Sequence, residues 1–182
     1  MTELRTEIVL QAPPERIWGL LTDVTLYGEW NPLFVRGEGK VIAGERLELT
    51  VQLPAIPPFP IKPELLCAEP QARFQWRHAM SFTGLMCWTY GIELEPLAAG
   101  RLRFVQNSAF GGLLGPLFSF ALGASVEGGM SELNQAVTRW GEQGNIGSPG
   151  CREGGRRETD LARGAIMAEL GKGIKERRGE QK

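Results

Sequence analysis

One histidine, two tyrosines and three cysteines are the groups this 182-residue chain offers for chemistry near neutral pH. His78 closes the stretch Arg73 to Ala79, where Phe74, Trp76 and His78 share one strand parity and Arg73, Gln75 and Arg77 take the other. An imidazole on the inner parity can serve as a general base. The plainer reading is a strand-end histidine bonded to backbone or water. Tyr90 and Gln106 take inward parities on neighbouring strands. Buried polar groups need partners, so these two either bond each other or await an oxygen from a ligand. A single histidine excludes a two-histidine metal site and a His–His relay. Cys67, Cys87 and Cys151 are widely spaced and odd in number, which makes neither a disulfide framework nor a zinc site. Cys87 has the opposite parity from Trp88 and no activating neighbour. No nucleophile–base pair, phosphate-binding glycine loop or carboxylate dyad is visible, so no cofactor or metal is expected. The candidates for catalysis reduce to His78 and Tyr90.

The elements that must position these groups follow from periodicity. Phe110 to Gln143 reads FGGLLGPLFSFALGASVEGGMSELNQAVTRWGEQ. It carries no charge as far as Val126 and then turns amphipathic, with Leu122, Val126, Met130, Leu133, Val137 and Trp140 at helical steps of three and four. Pro116 suits its first turn. At about 25 residues and ~1.5 Å each, such a helix crosses a whole sheet, and its apolar first half calls for a concave apolar partner. The uncharged run is at the bottom of the membrane-span range and is broken by glycines and a proline, so a core helix is the better reading. Ahead of it, Glu3 to Gln11 reads as a strand. Ala12-Pro13-Pro14-Glu15 then opens a helix whose buried face is Ile17, Leu20, Leu21 and Val24, and a short helical turn ends in Trp30-Asn31-Pro32. Trp30 is expected to close one end of the core.

Strands are expected at Phe34 to Lys40, Arg46 to Leu53, Ile61 to Glu69, Arg73 to Ala79, Phe82 to Glu95 and Arg101 to Phe110. In the second of these, Leu47, Leu49, Val51 and Leu53 share a face. The five prolines of 54–63 make that segment a stiff extended loop. About seven strands with helices segregated outside them give an α+β domain on one antiparallel sheet.

Composition narrows the function classes. A net charge of −1 argues against nucleic-acid binding. The charge is uneven: residues 1–142 hold 11 Lys/Arg and 15 Asp/Glu, and 143–182 hold 9 and 6. The tail 144–182 is Gly-rich and charged, reads as disordered or a short helix, and is a candidate surface for contacting another protein. The first residues lack a signal-peptide layout, which makes the cytoplasm the expected location.

Taken together, the APPERIW helix, the YGEWNP turn, the run FVQNSAFGGLLGPLF and the helix ending SELNQAVTRW resemble the SRPBCC (START-like, helix-grip) superfamily, and its polyketide cyclase/dehydrase branch most. The resemblance covers about residues 3–143, taken as a helix-grip domain at 1–143. It implies a curved seven-stranded antiparallel sheet wrapped around the long C-terminal helix, two short helices after the first strand, and an apolar cavity for a small lipophilic molecule. Relatives often carry a His and a Glu on the last strand, just ahead of the F-x-G-L-L run. Here those places hold Gln106 and Ser108, neither of which titrates near neutral pH.

The residues expected to face the ligand are Trp30, Leu49, Val51, Trp76, His78, Met86, Trp88, Tyr90, Phe104, Gln106, Phe118 and Leu122. A non-catalytic carrier of a small hydrophobic ligand is the first functional expectation. A cyclase or dehydratase that polarises carbonyls through His78, Tyr90 and Gln106 is the alternative. A structural module recruited through its basic tail is a third.

Overall fold

Alternating apolar residues over the middle of the chain produce the strands that the period of two calls for. The computed structural model describes residues 3–79 and 84–142. The tail, Cys151 and the expected protein contact at 144–182 lie outside these residues. Strand β1 (Glu3–Leu10) is followed by α1 (Pro14–Thr22), a single 3-10 turn, and α2 (Tyr27–Trp30). Strands β2 (Phe34–Glu38), β3 (Glu48–Leu53), β4 (Ile56–Ile61), β5 (Glu64–Glu69), β6 (Arg73–Ala79), β7 (Cys87–Pro96) and β8 (Leu102–Gly111) lead into α3 (Gly115–Glu142).

All the strand pairs are antiparallel, as expected, but their number and grouping differ from expectation. Among the described residues, eight strands form two sheets, one ordered β1-β8-β7-β6-β5 and one ordered β2-β3-β4, where a single sheet of seven was expected. The seam between them is partly stitched: Leu47 N–H donates to Pro63 O at 2.9 Å and Leu65 N–H to Glu45 O at 2.9 Å. The extra strand is the proline-rich segment expected to be a loop. Residues without an N–H are tolerated in a sheet only where no neighbour needs that donor. Strand β4 meets that condition: it pairs with β3 alone at the sheet edge, and Pro57 and Pro58 fall where the register slips and have no paired residue, while Pro60 stands opposite Thr50. Strand β7 begins at Cys87, later than expected. Residues 80–83 of the expected Phe82 start lie outside the described residues.

Helix α3 lies against β1, β8 and β3, so both sheets contribute to the surface that holds it. Val126, Met130, Leu133 and Val137 form its buried face, as their spacing requires. Two small residues set how close it comes. A Cβ on Gly129 would stand 2.8 Å from Leu33 Cδ1, and one on Gly141 would run into Ile17 of α1. At the C-terminal end, the Arg16 guanidinium donates to Gly141 O at 3.0 Å and Gln11 N–H donates to Glu142 Oε1 at 3.0 Å. This end is pinned to α1 and the end of β1.

Candidate functional site

Alternation on β6, β7 and β8 brings Trp76, His78, Trp88, Tyr90, Phe104, Gln106 and Phe110 to one side of the larger sheet, with Trp76 opposite Tyr90 and His78 opposite Trp88. Their rings pack on one another. Trp76 meets Trp88 edge-on at 5.2 Å between centroids and lies tilted over Tyr90 at 5.3 Å. Phe34 reaches both Trp76 and Tyr90, at 5.9 and 5.3 Å. Trp88 stacks on Phe110 at 5.7 Å, and Phe110 leans on Phe118 of α3 at 6.4 Å. At the other end of the chain of rings, Trp30 meets Tyr27 edge-on at 5.7 Å. Such contacts add to the burial of large apolar surface.

The polar groups of this centre are spent on one another. Tyr90 Oη donates to Gln106 Oε1 at 2.6 Å, and Gln106 Nε2 donates to Met130 O at 2.9 Å and to Asn134 Oδ1 at 2.7 Å. Asn134 Nδ2 then reaches Thr6 Oγ1 at 3.3 Å. Both N–H groups of the Gln106 amide are therefore used, and its oxygen already accepts. Of the two outcomes open for Tyr90 and Gln106, mutual bonding is the one found. Ser108, at the second place where relatives carry an ionisable group, accepts from Trp88 Nε1 at 2.8 Å. Burial, with a smaller contribution from Tyr27, pushes the Tyr90 hydroxyl well above its usual pKa. The Tyr27 hydroxyl donates to Leu21 O at 2.6 Å and is likewise pushed up, first by burial and then by the Asp23 charge. Neither tyrosine is prepared to give up a proton near neutrality.

The twelve residues expected to face a ligand fall into two sets. Leu49, Val51, Trp76, Trp88, Tyr90, Phe104 and Gln106 are closed in by neighbours, and Trp30 and Met86 nearly so. His78, Phe118 and Leu122 are only part-covered. Met86 and these three belong to one end of the molecule, where α3 begins beside the start of β7. That end is built tightly at its backbone. Gly112 takes φ +87°, and a Cβ there would stand 2.8 Å from the carbonyls of Gly84 and Leu85. Leu113 N–H donates to Gly84 O at 3.0 Å and Leu114 N–H to Leu85 O at 2.9 Å. Yet the side chains just beyond are bare: Leu113, Leu117 and Phe120 are 81%, 61% and 90% exposed. From Phe104 through Val126 there is no charged residue.

Among the described residues, two hollows elsewhere face outward. One of about 230 Å³ is lined by Arg36, Glu38, Glu48, Thr50 and Lys62 together with Leu49, Pro60 and Ile61. One of about 80 Å³ lies beside Gly91, Gln75, Asn107 and Cys67. Both are smaller than usual ligand sites, and most of the side chains that rim them are polar. Cys67 and Cys87 are free thiols. No cluster of three or more potential metal ligands occurs among the described residues. No helix among them is long and apolar enough to cross a membrane.

Sequence reading missed three contributors to this centre. Asn134 was legible in principle as a polar residue on the apolar face of α3, four places after Met130. Phe34 carried only a strand-parity signal. Asn31, whose Oδ1 accepts from Leu33 N–H at 3.0 Å and Phe34 N–H at 2.8 Å, sets the turn that delivers Phe34 to the core.

The signature of the family described as polyketide cyclase / dehydrase and lipid transport matches residues 1–139. The chain belongs to that family. Its helix-grip architecture recurs in solved structures. A Mesorhizobium loti protein is 16% identical with a TM-score of 0.58, over 76% of this chain and 96% of that one. A START superfamily protein from Mycobacterium smegmatis is 16% identical with a TM-score of 0.59, over 78% and 97%. The di-domain ARO/CYC BexL from the BE-7585A biosynthetic pathway is 16% identical with a TM-score of 0.60, over 75% of this chain and 46% of that one. At these identities the likeness is one of fold. No curated protein matches the sequence significantly.

Proposed function

We propose that this protein binds a small hydrophobic molecule without transforming it, and that the molecule enters at the end where α3 begins. The observation that carries this reading is the uneven cover of the inward-facing side chains. The centre is filled by packed rings, whereas His78, Leu122 and Phe118, the last of these leaning on Phe110, stay part-covered. Incompletely covered apolar side chains beside a few polar atoms are what a lipophile's site requires. The family's description, which includes lipid transport, supports the same reading. The ring-closing alternative loses two of its three carbonyl-polarising residues. Tyr90 and Gln106 are committed to each other and to Asn134, and Tyr90 holds its proton more tightly than usual.

Saturable uptake of decan-1-ol, followed by tryptophan emission, is the expected outcome. A Leu122→Trp variant that fills the opening should weaken uptake by an order of magnitude or more without lowering stability by more than about 1 kcal/mol. Uptake that is absent, or unchanged in that variant, would overturn the proposal.

A further inference from the structure

Interior polar groups in this fold are almost all paired, as folded proteins require. Three buried side-chain atoms among the described residues have no partner: Trp30 Nε1, His78 Nδ1 and Asn107 Oδ1. Asn107 belongs to the outer face of the sheet, where its amide donates to Glu93 at 3.1 Å. Trp30 is 6% exposed and wedged edge-on against Tyr27, at the far end of the chain of rings from Phe118. His78 is placed differently. It is on the inward parity of β6 with Phe74 and Trp76, directly opposite Trp88 in the β6–β7 register. Trp88 in turn stacks on Phe110, which leans on Phe118. The unpaired imidazole nitrogen therefore belongs to the same end of the molecule as the part-covered Phe118 and Leu122, on a face whose other polar groups, Tyr90, Gln106 and Ser108, are already hydrogen-bonded.

From this placement we infer that His78 is the polar anchor of the ligand. The bound molecule is an amphiphile whose oxygen hydrogen-bonds to the His78 imidazole while its apolar body lies along Met86, Phe118 and Leu122. This rests on the hydrophobic-ligand reading given above and narrows it from any lipophile to one with an oxygen function at one end. A neutral imidazole has one donor and one acceptor nitrogen, so a hydroxyl satisfies it in either tautomer. A hydrocarbon of the same length leaves the buried nitrogen unpaired, and that difference corresponds to about tenfold or more in affinity. No bond is made or broken in the ligand. His78 acts as a specificity-determining residue.

The test compares decan-1-ol with n-decane on the full chain, read by tryptophan emission. Wild type is expected to bind the alcohol at least about tenfold more tightly. His78→Phe keeps a ring without nitrogens and should equalise the two probes, chiefly by weakening the alcohol. His78→Gln restores a hydrogen-bonding group and should recover part of the preference. A second readout needs no variant. The chain has one histidine, so nitrogen-15 labelling of histidine gives a single imidazole pair of resonances. The alcohol should shift them and the alkane should not. Equal affinities in wild type, a preference that survives His78→Phe, or imidazole resonances that ignore the alcohol would each overturn the inference while leaving hydrophobic binding intact. If wild type takes up neither probe, the broader reading and this one fall together.

Discussion

The two halves of α3 form one continuous helix, the first uncharged and the second amphipathic, and they meet the rest of the molecule differently. From Val126 to Glu142 the helix buries Val126, Met130, Leu133, Ala136 and Val137, binds Gln106 through Met130 O and Asn134, and is clamped by Arg16 and Gln11. From Gly115 to Ser125 it leaves Leu117 and Phe120 bare and covers Phe118 and Leu122 only in part. Composition alone would rank the first half as the more deeply buried. Apolarity makes a segment seek cover, but the reach of the two sheets decides which turns receive it. The covered half secures the fold, and the uncovered half is where the proposed ligand would be met.

The sharpest way to break this comparison is to remove a ring from the closed side. Trp76→Ala takes a fully buried indole from the contacts with Phe34, Trp88 and Tyr90, and should cost about 3–5 kcal/mol in a urea titration. A loss under about 1 kcal/mol would mean the centre is already hollow. Next in size, Gln106→Leu keeps the approximate volume but deprives Tyr90 Oη and Asn134 Oδ1 of their partner. It should cost about 2–4 kcal/mol, and a neutral result would show that the network is not holding the sheet to the helix.

Alkaline pH probes the same side without mutation. The chain has two tyrosines, and both have folded-state pKa values raised above the ordinary 10.0 by burial. The folded state therefore holds these protons more tightly than the unfolded chain. The associated stability is complete below pH about 10 and declines above it, by about 1.4 kcal/mol per pH unit for each tyrosine. Phenolate absorbance should stay silent until the protein unfolds and then appear for both tyrosines at once. A gradual titration near pH 10 in the folded protein would show that the centre admits water. The smallest effect belongs to the open side: Phe120→Ser should leave stability within about 0.5 kcal/mol, because a 90% exposed ring has little packing to lose.

Much of the closed side was legible in the sequence. A period of two in Arg73 to Ala79 and in the strands that follow put Trp76, Trp88, Tyr90 and Gln106 on one face, and the register agrees. Three things were not. Proline in Ile56–Ile61 read as a loop, because edge position, which makes it admissible, depends on strand order and not on local sequence. For the same reason the division into sheets of five and three strands was hidden. The bond from Gln106 to Asn134 spans 28 positions and depends on how α3 is rotated about its axis, which periodicity fixes only to within a residue. On the open side, the sequence placed His78 inward but could not tell a bonded imidazole from an unbonded one.

The prolines of β4 have a consequence for how this molecule behaves in company. An outermost strand normally offers a ladder of free donors onto which a stranger's strand can add, the first step of many filaments. Pro57, Pro58 and Pro60 carry no N–H, so one margin of the smaller sheet is short of the donors such an addition needs. Crowding should therefore not drive these molecules to polymerise through that margin.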